Sequence, residues 1–318
     1  MVEPGHHETA PTHPLRYVLI TTARNEERFI RQTLASVVSQ TVLPERYVVV
    51  DDGSTDKTPS IVAEFAEGRP WLTLLQQPPR VGRDFAGKVR AFNAGLEQVE
   101  HLRCDIIGNL DADVSVEADL CEYLLAQFAS DPTLGVAGTV YTQPGFDSML
   151  DSFEGEDSVA GPLQFFRREC FEEIGGYVPN RLGGIDWIAV TTARMNGWRT
   201  RTFTGKRFHH HRSMGTATRS PVGAMFDYGR KDYFLGGSPV WQCARACYRM
   251  TKQPRILGGL ALLAGYSWAA LRRTPRPVDS RLVKFHRGEQ RRKLRKIFVS
   301  LLTFRRLDKF HSAKLRTP

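Results

Sequence analysis

The chain has 318 residues, of which 41% are hydrophobic and 25% are charged. This balance excludes a largely disordered chain and is typical of a soluble globular protein with a sizeable core. The formal net charge of +10 is uneven, because residues 272–318 hold 16 of the 44 Lys and Arg residues but only 3 of the 34 Asp and Glu residues. Such a basic tail on a nearly neutral body indicates a polyanionic partner, either a membrane surface or a nucleic acid.

The five cysteines are spaced neither as metal-ligand pairs nor as a dense disulfide framework, so we expect a reducing compartment. Cys243 and Cys247 share a helical face and are interpreted as packing residues. Residues 1–14 are polar and lack the apolar core of a signal peptide, which predicts a disordered, uncleaved start.

The repeating unit of the first half is a short apolar strand followed by an amphipathic helix. The predicted strands are residues 17–20, 47–50, 71–75, 105–110 and 136–141. The helices between them carry apolar residues on one face, as in the run from Ile30 to Val38. This alternation predicts an α/β fold with a mostly parallel sheet and helices on both faces.

Acidic residues follow two of these strands. Asp51 and Asp52 come after the second strand, and Asp111-Ala112-Asp113 comes after the fourth. Carboxylates at the carboxyl ends of such strands lie where open α/β sheets bind ligands, and they suit a divalent cation that bridges to a phosphate. Lys88, near a predicted helix start, is interpreted either as facing a diphosphate or as a solvated lysine.

Six motifs run in order through the first two thirds of the chain. They lie at residues 22–27 (TARNEE), 50–58 (VDDGSTDKT), 87–96 (GKVRAFNAGL), 111–113 (DAD), 165–177 (FFRRE and EIGGY) and 193–198 (ARMNGW). This series resembles family 2 glycosyltransferases with the Rossmann-like GT-A fold. The resemblance implies an inverting, metal-dependent transfer of a sugar from a nucleotide donor to a hydroxyl.

The resemblance also implies roles for individual residues. Those expected to line the base and ribose site are Thr22, Arg24, Glu26, Asp51 and Asp52. Lys88 would stand near the nucleotide phosphates, Asp111 toward the ribose, and Asp113 on the metal. The cation, Mn²⁺ or Mg²⁺, would neutralise the charge that develops on the leaving nucleoside diphosphate.

The expected general base is Asp186, in the run Gly183-Gly184-Ile185-Asp186-Trp187. The family usually has a Glu-Asp pair here, whose Asp takes the proton from the acceptor hydroxyl, and in this chain Ile185 replaces the Glu. A second acidic cluster, Glu154, Glu156 and Asp157, is interpreted as a solvated loop rather than the base.

A run of three histidines precedes Arg212 and provides a candidate for a further metal ligand. Related enzymes often use a His at this place, and imidazole is a good ligand for Mn²⁺ beside carboxylates. Strand side chains alternate, so the three rings cannot all face one metal. The sequence leaves the choice between His210 and His211 open, together with the alternative that exposed His and Arg side chains here merely contact the sugar phosphate or solvent.

The rest of the chain is predicted to be helical. Residues 228–250 are read as one helical segment, and the apolar residues 256–271 would form a helix about 24 Å long, short of a roughly 30 Å hydrocarbon core. Its basic flanks favour an interfacial helix over a buried packing helix. The expected organisation is a disordered segment (1–14), a GT-A domain (15–215) and a basic, membrane-associated helical extension (216–318).

The predicted enzyme uses a nucleotide-sugar donor, with a UDP-sugar favoured, and a saccharide or lipid-linked acceptor, in polysaccharide or glycan synthesis. We expect it in the cytoplasm, peripheral on the cytoplasmic face of the inner or plasma membrane. The alternatives are a metal-dependent nucleotidyltransferase and a nucleic-acid-binding protein that uses the basic tail. The tail lacks the interleaved aromatic residues of a single-strand binding platform, so we expect no nucleic-acid partner.

Overall fold

A computed structural model describes residues 15–79, 85–151, 155–180, 182–212 and 220–303. The expected disorder of residues 1–14 and the domain boundary at residue 215 lie outside these ranges, and both stay predictions.

The described residues form strands and helices in alternation through most of the chain. The strands are β1 (Tyr17–Ala23), β2 (Arg46–Asp51), β3 (Leu72–Gln76), β4 (Ile106–Leu110), β5 (Val114–Val116), β6 (Leu134–Gln143), β7 (Phe146–Asp147), β8 (Leu163–Arg167) and β9 (Arg199–His210). The helices are α1 (Ile30–Val38), α2 (Thr58–Ala66), α3 (Phe85–Glu97), α4 (Leu120–Ser130), α5 (Ser148–Asp151), α6 (Arg168–Glu173), α7 (Ile185–Met195), α8 (Pro221–Phe234), α9 (Pro239–Met250), α10 (Leu257–Leu271) and α11 (Ser280–Leu302).

The strands form one sheet in the order β3-β2-β1-β4-β8-β6-β9-β5, with β7 paired to β6. The first four strands in this order are parallel, as predicted. Strand β8 pairs antiparallel with both β4 and β6, and β5 pairs antiparallel with β9. The α/β class is therefore confirmed, with a parallel half joined to a mixed half.

Both faces of the sheet are covered, because alternate side chains of one strand enter different cores. Along β2, Tyr47 and Val49 belong to one buried cluster, and Val48 and Val50 belong to another. All four side chains are fully buried. This continuous apolar run is typical of a strand with helices on both faces. The polar residues that follow the run therefore lie at the edge of the sheet.

The segment predicted to be helical over residues 228–250 is helical but contains a break between α8 and α9. Gly236 adopts φ +84°, a left-handed conformation that favours glycine, and Pro239 begins α9 at a position where a missing N–H costs nothing. The break turns the chain so that α9 and α10 pack against each other.

Helix α11 packs on α7 and ties the C-terminal helices to the sheet domain. The Arg194 guanidinium donates two hydrogen bonds to the Glu289 carboxylate, at 2.8 and 3.1 Å. The Trp187 ring meets the His286 ring edge-on, with centroids 4.5 Å apart. Burial alone would raise the pKa of Glu289, but His286 and Arg194 lower it to about 2, so the pair stays ionised at neutral pH.

Helices α8 and α10 pack closely because glycines lie at their crossing. A Cβ added at Gly265 would lie 1.9 Å from the Phe226 carbonyl oxygen, and one at Gly229 would lie 2.0 Å from the Leu262 carbonyl oxygen. Backbone atoms at these distances leave no room for a methyl group.

Replacing Gly265 by Ala should therefore lower the free energy of unfolding by about 1–3 kcal/mol, because the two helices must move apart. Urea unfolding would measure the change. Gly288→Ala in α11 is the matched control, since no atom lies within 4 Å of the added Cβ there. In the control, the better helix propensity of Ala should maintain or raise stability. Equal stability of the Gly265 variant and the parent would contradict this packing.

Candidate active site

The carboxyl ends of β2, β1 and β4 lie side by side at one edge of the sheet. The register pairs Thr22 with Val50 and Ile20 with Asn109. The segments that follow these strands are therefore neighbours, although they come from separate parts of the sequence. Each predicted nucleoside-site residue and the Asp-Ala-Asp motif lies on one of these segments or strand ends.

The segments after β1 and β2 are joined by hydrogen bonds. The Asp52 N–H donates to the Ala23 carbonyl at 2.8 Å, and the Glu26 N–H donates to Thr58 Oγ1 at 2.8 Å. The Asp51 carboxylate accepts from the Ser54 N–H at 3.2–3.3 Å. Asp51, Asp52 and Glu26 are buried, and Thr22 and Arg24 are half-buried. These contacts hold the polar groups in a fixed arrangement at the sheet edge.

Lys88 lies in the first turn of α3 and forms an ion pair with Asp111. Burial alone would lower the pKa of Lys88, but the carboxylates of Asp111, Asp186 and Asp113 raise it above its ordinary value. The ammonium therefore stays charged at neutral pH. The Lys88 ammonium thus interacts electrostatically with the predicted metal-site residues Asp111 and Asp113 and with the predicted base Asp186.

Asp186 lies in the first turn of α7, after Gly184, which adopts φ +80°. A Cβ added at Gly161 would lie 2.6 Å from Asp186 Oδ2, so only glycine leaves room for this carboxylate. The Gly161 carbonyl accepts from Asn109 Nδ2 at 2.8 Å, and the Pro162 carbonyl accepts from the Asp111 N–H at 2.9 Å. The segment at residues 161–162 thus connects Asp186 to the end of β4.

Asp111, Asp113 and His210 form a candidate metal centre, since one possible ligand atom from each lies within 4.8 Å of the others. His210 Nε2 is 3.5 Å from Asp113 Oδ1, while its Nδ1 contacts the Arg212 carbonyl oxygen. When the neutral His210 ring donates its Nδ1–H to this carbonyl, its Nε2 carries no proton and can bind a metal. This Nε2 faces the Asp113 carboxylate, an arrangement found in many metal-binding histidines. Two carboxylates and one imidazole fit Mn²⁺ better than Mg²⁺.

His211 lies apart from this group of ligand atoms. Its ring stacks on Phe29 with centroids 5.9 Å apart, and its Nε2 is buried without a hydrogen-bond partner among the described residues. Burial and the neighbouring His209 lower the pKa of His211. Of the two histidines left open by the sequence, the geometry favours His210.

Arg212 and Gly161 are site residues that the sequence reasoning missed. Arg212 forms an ion pair with Glu26, and its Nε lies 3.5 Å from Asp113 Oδ2. The position of Arg212 directly after the histidines could have indicated a place in the site. Its contact with Glu26 could not be predicted, because the two residues are 186 positions apart in the sequence. Gly161 carried no such signal.

Glu156 and Asp157 of the second acidic cluster lie away from Asp186. Glu156 is 3.6 Å from Arg201, and the Asp157 carbonyl accepts from Arg194 at 2.8 Å. Arg194 is eight residues after Asp186 on α7, or about 12 Å along the helix axis. Glu154 lies outside the described residues. The interpretation of this cluster as a solvated loop stays a prediction.

Comparison with known proteins identifies sequences similar to part of the chain. Residues 18–152 match the model of Glycosyl transferase family 2. A beta-monoglucosyldiacylglycerol synthase from Synechocystis sp. is 30% identical over 180 residues, which cover 50% of this chain and 36% of that protein. A poly-beta-1,6-N-acetyl-D-glucosamine synthase from Staphylococcus aureus is 30% identical over 111 residues, covering 35% of this chain and 25% of that protein. The matches thus span about a third of these relatives or less.

The fold is similar to that of a mannosyltransferase from Pyrobaculum calidifontis, solved in complex with GDP-Man and Mn²⁺. The TM-score is 0.54, with 95% of this chain and 87% of that chain covered at 21% sequence identity. This likeness confirms the predicted GT-A fold.

Proposed function

Because residues 18–152 match the model of Glycosyl transferase family 2, we propose that the chain is an inverting enzyme that transfers a sugar from a nucleotide-sugar donor to a hydroxyl. The observation that carries the proposal is the group of possible ligand atoms from Asp111, Asp113 and His210 beside the Lys88–Asp111 ion pair, with Asp186 against Gly161, whose carbonyl accepts from Asn109 at the end of β4. A carboxylate pair suited to a metal-bound diphosphate thus lies beside a separate carboxylate suited to deprotonate an acceptor.

The donor is held at the sheet edge in this proposal. Thr22, Arg24, Glu26, Asp51 and Asp52 bind the nucleoside, and Asp111 meets the ribose. Lys88 binds the diphosphate with its ammonium near the start of α3, where the positive end of the helix dipole also favours anions. Arg212, fixed by Glu26, adds a second positive charge near Asp113.

A divalent cation, Mn²⁺ in preference to Mg²⁺, would be held by Asp113 and His210 with Asp111 beside it. When bound, it supplies a positive charge that stabilises the leaving diphosphate. The chain itself orients the ligands: the Arg212 carbonyl fixes the ring of His210, and Lys88 balances the charge of Asp111.

Asp186 acts as the general base. The acceptor oxygen attacks the anomeric carbon, its proton passes to an Asp186 carboxylate oxygen, and the bond from the anomeric carbon to the diphosphate oxygen breaks. The diphosphate leaves with the bonding electron pair. A single displacement of this kind inverts the anomeric centre.

We favour a UDP-sugar as donor and a saccharide or lipid-linked acceptor. The two curated relatives, named as a glucosyldiacylglycerol synthase and a poly-N-acetylglucosamine synthase, support an acceptor of one of these classes. GDP-sugars should be tested as well, because the similar mannosyltransferase was solved in complex with GDP-Man.

The test is incubation of the full chain with UDP-, GDP- and dTDP-sugars, Mn²⁺ and saccharide or lipid-linked acceptors, followed by identification of the released products. Free nucleoside diphosphate together with a β-linked product from an α-linked donor supports the proposal. Release of pyrophosphate instead would identify a nucleotidyltransferase. If no donor is consumed or bound, the proposal fails.

We further propose that α10 attaches the enzyme to the cytoplasmic face of a membrane. No helix among the described residues is long and apolar enough to cross a bilayer. One side of α10 packs on α8, while Leu257, Leu260, Trp268 and Leu271 are exposed. Arg272 lies over the Trp268 ring at 4.7 Å, which places a cation beside the exposed apolar residues, as in interfacial helices.

Replacing Leu257 and Leu271 together by Ser should lower binding to vesicles about tenfold or more, because each exposed leucine contributes apolar area to insertion. Vesicle sedimentation on neutral and anionic lipid at low and high salt would measure this. The Leu43→Ser and Leu150→Ser pair is the control, since both leucines are exposed outside α10. Equal binding by both pairs would contradict insertion of α10.

A further inference from the structure

A basic cavity lies between the start of α9 and one side of α11. Its volume is about 640 Å³. The polar residues that line it are Ser238, Arg276, Ser280, Lys284, Arg287 and Arg291, and Val278 and Val283 complete the lining. Among the residues that the structure describes, no carboxylate lines the cavity. It is separate from the candidate active site, since none of the predicted site residues contributes to it.

The cations converge because of the helical repeat. Ser280, Lys284, Arg287 and Arg291 recur at intervals of four, three and four residues, so they share one face of α11. Arg276 joins them from the segment before α11. Within the described ranges, none of the four cations forms an ion pair with an Asp or Glu. Four like charges around one cavity repel each other, and a multivalent anion would remove that cost.

Two of the guanidinium groups are already positioned. Arg287 Nε donates to the Gly236 carbonyl at 2.9 Å, and Arg276 lies over the Tyr233 ring at 4.6 Å. These contacts leave the terminal nitrogens of Arg287 available to a ligand. The Ser238 side chain makes no capping bond to α9, so its hydroxyl is available as well. Positioned guanidinium and hydroxyl donors match the geometry of phosphate oxygens.

We propose that the basic cavity binds the phosphoryl group of a second ligand, which is either the headgroup of an anionic lipid or a soluble phosphate compound. Guanidinium forks from Arg287 and Arg291, with the Lys284 ammonium, hold the phosphate oxygens. Binding here is separate from sugar transfer, so the inference stands or fails independently of the proposed function.

The test is calorimetric titration of the full chain with pyrophosphate, at about 0.15 M salt to screen diffuse attraction and with EDTA to remove metal from Asp113. Lys284→Gln with Arg291→Gln should weaken binding about tenfold or more, since two charge-assisted contacts are lost. Both residues are exposed, so the fold should persist. The control pair, Arg281→Gln with Lys296→Gln, removes the same charge from α11 outside the cavity lining and should leave binding within about twofold.

Vesicles distinguish the source of the phosphoryl group. Competition with pyrophosphate by phosphatidylcholine vesicles that contain phosphatidate, but not by phosphatidylcholine alone, identifies a lipid headgroup. Pyrophosphate binding without such competition identifies a soluble ligand, and either result supports the cavity. The inference is overturned if the parent chain does not bind pyrophosphate, or if both variant pairs weaken binding equally, which would indicate diffuse attraction to a basic surface.

Discussion

Replacing Asp186 by Asn lowers the turnover number by about 10²-fold or more while donor binding persists. Asn has nearly the same shape as Asp, so it still fits beside Gly161, where a Cβ would lie 2.6 Å from Asp186 Oδ2. The amide cannot accept the proton of the acceptor hydroxyl, so the loss falls on the chemical step. Steady-state kinetics with a saturating acceptor, together with a donor titration, would separate the two effects.

The control for this prediction is Asp157→Asn. Asp157 belongs to the second acidic cluster and is exposed, and it holds Arg194 through its backbone carbonyl rather than its side chain. Its variant should retain full turnover. If the Asp186 variant instead loses donor binding and keeps its turnover, the residue belongs to the donor site and another group is the base.

Replacing Asp113 by Ala abolishes metal-dependent nucleotide binding and sugar transfer together. Asp113 is buried and contacts both His210 and Arg212, so its removal takes away a ligand and leaves those groups without their acidic partner. Changes around a metal centre commonly cost 10–100-fold in affinity, and we expect at least about a hundredfold for this carboxylate. Titration of Mn²⁺ in the presence of a nucleotide would measure the loss.

The two histidines provide a matched comparison for the same experiment. His210→Ala should weaken Mn²⁺ binding about tenfold or more, because it removes the nitrogen that faces Asp113. His211→Ala should change metal affinity little, since that ring lies against Phe29. If the His211 variant shows the larger loss, the metal lies on the other side of the strand. Full activity of the Asp113 variant would exclude the metal centre altogether.

The parallel half of the sheet could be predicted because its signals are local. Each strand from β1 to β4 is a short apolar run, and the polar residues that follow it mark its carboxyl end. The resemblance to family 2 glycosyltransferases and the GT-A fold were identified from the same stretches. Residues 18–152 match the family model, and the similar solved structure confirms the fold. The roles of the individual site residues stay predictions.

The features that the sequence did not predict depend on distant contacts. Nothing near Gly161 indicates that Asp186 will lie against it, because the two meet only when β8 inserts between β4 and β6. The choice of His210 over His211 depends on the register of β9, which shifts beside Thr139 and Val140. A register shift of this kind changes which side chains face the site, and alternation alone cannot locate it.

The contact between α7 and α11 has a consequence for synthesis on the ribosome. Glu289 follows Arg194 by 95 residues, and chains grow at roughly 5–20 residues per second. Roughly 5–20 s therefore pass between the synthesis of Arg194 in α7 and the synthesis of its ion-pair partner Glu289 in α11. During that interval the face of Trp187 that His286 later covers is open to solvent. A newly made chain therefore exposes this side of the Trp187 ring, next to Asp186, until α11 has been synthesised.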